Sequence, residues 1–176
     1  MVDLLYKNFL RTFQLFLLRV GLGGKNYKNF KDLNFKQNDF INYKIIKHYV
    51  VKDNFINNVN ILDAQMFNFL FFYQKLGGKK GIELSKKNIF LWFKKFKYNK
   101  KFLWNTNYAS KRFINLVYSY DFICSISNEK EIAQINKILN FHIKRITFEM
   151  RLKKNSSISS NEILDLVLIE CCKNTL

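Results

Sequence analysis

The chain has 176 residues, enough for one compact domain, and carries 30 Lys and Arg against 13 Asp and Glu, a net charge of +17. An apolar content of 48% with 17% aromatics excludes a disordered basic tail. The charge exceeds what solubility requires and points to a polyanionic partner. Proline is absent, and Gly, Ala, Pro and Arg together supply only fourteen residues, while Asn, Lys, Phe and Ile fill the chain. Codon usage of that kind marks an AT-biased genome, most often an organellar one, and part of the Phe excess follows from it.

In chain order, Leu4, Leu5, Phe9, Leu10, Phe13, Phe16 and Leu17 recur at helical spacing, so residues 3–19 read as an amphipathic helix, ended by Gly21, Gly23 and Gly24. The stretch would pass for a mitochondrial presequence, but an organelle-encoded chain needs no import signal, and a first structural helix is the better reading. Lys25–Asn42 reads as an irregular surface segment. Lys44–Val51 and Val59–Leu62 read as strands around an Asn57-Asn58 turn, and Ala64–Leu76 as a helix ended by Gly77-Gly78. Asn88–Phe93 has the nearly all-apolar pattern of a strand buried on both faces, with Phe102–Trp104 as another candidate. Phe122–Ile126 follows as a strand. Asn128 then caps a helix with Glu131 as its capping-box partner, and Ile132, Ile135, Ile138 and Leu139 form its apolar stripe. Phe141–Phe148 reads as the next strand, and Ser159 with Glu162 as a second capping box before Ile163–Cys172. This alternation predicts βαβ crossovers and a parallel sheet.

Few residues offer catalysis or metal binding. Gly21-Leu22-Gly23-Gly24-Lys25 lacks the spacing of a phosphate loop, and Asn26 stands where Ser or Thr is needed. Cys124, Cys171 and Cys172 have no zinc spacing, and His48 and His142 lie far apart, so the thiols read as buried and reduced. Neither a catalytic residue, a metal site nor a cofactor is expected. No apolar run approaches the ~18–20 residues that span a bilayer, so no membrane span is expected either.

The basic segments carry more. Ten lysines fall between Lys75 and Lys101 against the single acid Glu83, with Phe96, Tyr98, Phe102 and Trp104 interleaved. Phe102 and Trp104 read as core, and Tyr98 is open between core and base stacking. The candidate RNA-binding residues are Lys25, Lys28, Lys31, Lys79, Lys80, Lys86, Lys87, Lys94, Lys95, Lys97, Lys100, Lys101, Lys111 and Arg112. Clustered lysines neutralise several phosphates jointly, which is the salt-sensitive part of nucleic-acid binding.

The order of features resembles the universal small-subunit ribosomal protein 2 family. Leu17-Leu18 followed by Gly21, Gly23 and Gly24, then Tyr27 and Phe30, is similar to that family's opening helix and glycine-bracketed turn. His48-Tyr49-Val50, Asn57-Asn58 and Asn60-Ile61-Leu62-Asp63 resemble its first strands and turn. Asn88–Phe93, Phe102-Leu103-Trp104-Asn105 and Asp121-Phe122-Ile123-Cys124 follow in the family's order, as does Ser159-Ser160-Asn161-Glu162 near the end. Too few residues separate Trp104 from Asp121 for the long helical hairpin of bacterial members. A second resemblance lies in one stretch: Phe67-Asn68 through Gly78-Lys79-Lys80 and Ile89-Phe90 is similar to small-subunit ribosomal protein 7, which implies an all-helical chain.

The first resemblance implies an α/β fold, a Rossmann-like parallel sheet flanked by helices with the hairpin reduced or absent. It implies one domain over residues 1–176: an N-terminal helix and irregular extension over 1–43, and an α/β core over 44–176. The expected role is structural, binding and bridging RNA in the small ribosomal subunit of a mitochondrion. The partners would be small-subunit ribosomal RNA and neighbouring ribosomal proteins. The alternatives are the all-helical RNA binder and an accessory subunit of an organellar membrane complex. An RNA-modifying enzyme would need a cofactor motif, and the chain offers none.

Overall fold

The computed structural model describes residues 2–22, 62–98 and 102–153, together with helical positions 162–164, 167, 169 and 170. Among these residues every regular element is helical. The expected Rossmann-like sheet is therefore corrected to a helical packing. The elements are α1 (Val2–Arg19), α2 (Leu62–Gln65), α3 (Phe69–Leu76), α4 (Gly78–Phe96), α5 (Thr106–Tyr118), α6 (Tyr120–Cys124) and α7 (Glu129–Arg151), with a 3₁₀ turn at Phe102–Trp104. The candidate strand Lys44–Val51 lies outside the described residues, as do residues 59–61, and Leu62 begins a helix.

Each strand expectation inside the described region fails for the same reason. A short apolar run has no period, and it suits a helix wrapped by neighbours as well as a strand buried on two faces. Asn88–Phe93 falls within α4, where Asn88, Ile89, Trp92, Phe93 and Phe96 form the buried stripe and Leu91 faces out. Phe141–Phe148 continues α7, whose second half is buried on most sides, including Phe141, His142, Ile143, Arg145 and Ile146. Phe122–Ile126 contributes to α6 and the turn after it, and Phe102–Trp104 is the 3₁₀ turn. With no proline anywhere, nothing interrupts a 23-residue helix such as α7.

Other readings match. Residues 3–19 lie in α1, and Gly21 follows with φ 81°. The Asn128 capping box is complete: its side chain accepts from the Glu131 amide at 3.0 Å, and the Asn128 amide donates to Glu131 at 3.1 Å. Ala64–Leu76 is helical at both ends but broken at Met66–Asn68, where Phe67 takes φ 64°. For a bulky residue that conformation costs roughly 1–2 kcal/mol. The strain is held by packing: the Phe67 ring is fully buried, edge-on to Trp92 at 5.2 Å and beside Phe69 at 5.3 Å. Asn115 on α5 closes the break, donating to the Met66 carbonyl at 2.8 Å and to Asn68 Oδ1 at 2.9 Å.

Helices α3 and α4 form a tight hairpin across Gly77-Gly78, which take φ 69° and 57°. The two helices touch at Gly81, where an added Cβ would stand 2.3 Å from the Tyr73 carbonyl oxygen. Only glycine permits that approach. Helix α1 docks on α7: the Arg11 guanidinium donates to both Glu149 oxygens, at 3.2 and 3.0 Å, and Gln14 donates to the Lys144 carbonyl at 3.1 Å. Its other side leaves Leu5, Phe9, Phe13, Phe16 and Val20 exposed in a continuous apolar stripe. No helix among the described residues is long and apolar enough to cross a membrane.

Candidate nucleic-acid interface

The α3–α4 hairpin sorts its side chains by helical period. Gly81, Ile82, Ser85, Asn88, Ile89, Trp92, Phe93 and Phe96 turn inward, so the lysines between them must turn outward. Lys75, Lys79 and Lys80 stand exposed at the hairpin tip, and Lys87, Lys94 and Lys95 along the outer face of α4. Lys97, just past the helix, is half-buried, its ammonium 4.9 Å from the Tyr98 ring centroid and 5.7 Å from that of Phe93. Glu83 is the one acid between Lys75 and Lys97. Its pairing with Lys79 at 3.9 Å, both side chains well exposed, offsets little of the positive field.

Between α4 and α7 this face opens into a groove of about 730 Å³. Lys87, Lys94 and Lys97 line one wall and Lys137 the other, over Phe90, Leu91 and Phe93. The Lys86–Glu131 ion pair at 2.9 Å and the edge-on contact of Phe93 with Phe141 at 5.1 Å join α4 to α7 beside the groove. The bond from Lys86, with the Asn128 amide second, lowers the Glu131 carboxyl below its ordinary pKa.

The expected RNA-binding residues thus divide. Lys79, Lys80, Lys87, Lys94, Lys95 and Lys97 share one side of the molecule. Lys111 is exposed on α5. Lys86 is buried and spent on Glu131. Arg112 is a correction: it is wholly buried and every contact it makes is internal. Lys25, Lys28, Lys31, Lys100 and Lys101 lie outside the described residues. Tyr98, left open, packs on Phe141 and carries the Arg19 guanidinium 4.5 Å from its ring centroid. Trp104 is core, as expected.

Arg112 instead organises the interior. Its Nε donates to His142 Nε2 at 2.9 Å, and its terminal nitrogens donate to the Gln65 and Leu103 carbonyls, both at 2.8 Å. The guanidinium lies 4.1 Å from the Trp92 ring centroid and 4.8 Å from that of Trp104. Carbonyl acceptors and ring faces do here what a carboxylate usually does for a buried cation. His142 must be neutral, with its Nδ1 hydrogen bonded to the Ile138 carbonyl at 2.8 Å. Burial, reinforced by the Arg112 charge, holds its pKa well below the ordinary value. The sequence did carry a signal: Ala109, Arg112, Phe113 and Leu116 fall on one helical stripe, and Arg112 belongs to it.

Reactive chemistry is scarce. Burial raises the Cys124 thiol to about 11 and the Tyr120 phenol to about 12, so neither is ionised near neutrality. Cys171 and Cys172 lie outside the described residues. No cluster of three or more potential metal ligands occurs among the described residues. No known protein family, curated protein or solved structure matches the chain.

Proposed function

We propose that this chain is a structural protein of the small subunit of a mitochondrial ribosome, bridging segments of ribosomal RNA through the outer face of the α3–α4 hairpin. The observation that carries the reading is the gathering of Lys79, Lys80, Lys87, Lys94, Lys95 and Lys97 on one side with Glu83 as their sole acidic neighbour between Lys75 and Lys97. A rigid helical face of that kind meets phosphates without paying to order itself first. The ribosomal protein 2 resemblance carries a parallel sheet, and no strand occurs among the described residues. The helix–Gly77-Gly78-Lys79-Lys80–helix order agrees better with the ribosomal protein 7 resemblance. Neighbouring ribosomal proteins suit the exposed apolar stripe of α1.

Sedimentation of the native protein tests the reading. Co-migration with small-subunit RNA, lost when Lys79, Lys80, Lys87 and Lys94 are changed to Glu, is the expected result. Detergent-dependent migration with respiratory complexes would contradict it and favour an accessory membrane-complex subunit.

A further inference from the structure

We infer that the groove between α4 and α7 receives a single unpaired nucleotide of RNA, an assignment that rests on the RNA-binding reading and specifies its ligand. Three features point there. The groove's volume, about 730 Å³, lies in the range of sites for small organic ligands. Its walls carry four lysines from two helices and no carboxylate, while its floor is apolar and aromatic. That is the combination a nucleotide presents in reverse, a flat ring beside phosphate charge.

The lining runs along α4 from Lys87 to Lys97, about 15 Å of rise, and along α7 from Ala133 to Lys137, which accommodates one base and the phosphates on either side of it. Phe90 and Leu91 offer the surface on which a base stacks. Gln134, exposed on α7, supplies an amide that both donates and accepts at a base edge. Lys97, reaching back over Phe93, and Lys137 on the opposite wall stand where flanking phosphates would pass. Lys137 lies far from the Lys75–Lys101 cluster in sequence and joins it only through the packing of α7 beside α4.

The test compares two RNA hairpins, identical except that one has a single bulged adenosine, for binding to the full chain. The wild type is expected to bind the bulged hairpin at least about fivefold more tightly, the lower end of what stacking one base provides. Phe90→Leu, which keeps an apolar side chain at the core edge, should remove that preference and leave affinity for the paired hairpin within about twofold. Leu91→Ala, at an exposed position, should reduce the preference independently should Phe90→Leu not fold. Equal binding of the two hairpins by the wild type, or a preference that survives both variants, overturns the assignment while leaving the RNA-binding reading intact. Failure to bind either hairpin overturns both. Displacement of the bulged hairpin by free adenosine monophosphate at matching concentration assigns the groove to a free nucleotide and overturns the RNA claim. Retention of an acidic amphipathic peptide with no bulge preference makes it a protein site, with the same consequence.

Discussion

The outer face of α4 and the seam between α4, α5 and α7 are both rich in cations, yet they use them in opposite ways. On the outer face, Lys79, Lys80, Lys87 and Lys94 stand exposed, and Glu83 is the one acid between Lys75 and Lys97 in the chain. In the seam, Arg112 is fully buried and bound by one imidazole, two carbonyls and two indole rings. Lys111 and Arg112 show the difference within one peptide bond, the first exposed and the second wholly inside. A cation's meaning in this chain follows from its place in the helical period, and residue type alone does not reveal it.

The contrast breaks most visibly at Arg112. Arg112→Ala leaves His142 and two carbonyls without their donor and opens a cavity between Trp92 and Trp104. The expected loss is about 3–5 kcal/mol in chemical denaturation, with the isolated chain losing its cooperative transition as the extreme result. A comparable change on the other face, such as Lys94→Ala, should stay within about 0.5 kcal/mol. Next in size is Gly81→Ala, which drives a methyl group onto the Tyr73 carbonyl and should destabilise by about 1–3 kcal/mol through displacement of α3 from α4. An unchanged melting curve would show that the hairpin packs less closely than described.

His142 sharpens the comparison through pH. Its folded pKa is depressed, so its contribution is complete above the unfolded value of about 6.5 and is lost as pH falls. Between about pH 7.5 and 5.5 the unfolded chain takes up a proton that the native seam refuses, and stability should drop by about 1 kcal/mol from this group. His142→Gln, whose amide oxygen still accepts from Arg112, should flatten that slope. The smallest effect is at Glu131. Lys86→Met removes the bond that lowers its carboxyl, and the Glu131 pKa followed by NMR should rise toward the ordinary carboxylate value. No movement would mean that the ion pair beside the groove is not formed in solution.

Much of this architecture was open to reading from residues alone. The period of Leu4 through Leu17 gave α1, Gly77-Gly78 gave the hairpin turn, and Asn128 with Glu131 gave the start of α7. The sheet was misread because Asn88–Phe93 and Phe141–Phe148 are short apolar runs, and such runs do not distinguish a wrapped helix from a buried strand. In α7 the buried polar residues His142, Arg145 and Glu149 were the clue to a helix enclosed on most sides, since each needs a tertiary partner that the sequence does not name. The groove was illegible for the same reason. Lys137 and Lys94 are more than forty positions apart, and only packing places them on facing walls.

The most direct measurement is the salt dependence of binding to a small-subunit ribosomal RNA fragment. It should be made for the full chain and for a variant with Lys79, Lys80, Lys87 and Lys94 changed to Gln. The outer-face account predicts a steep slope for the wild type that falls by about 3 when four phosphate contacts are lost, with melting curves unchanged. Identical slopes for the two proteins would contradict it and leave those lysines as solvated surface.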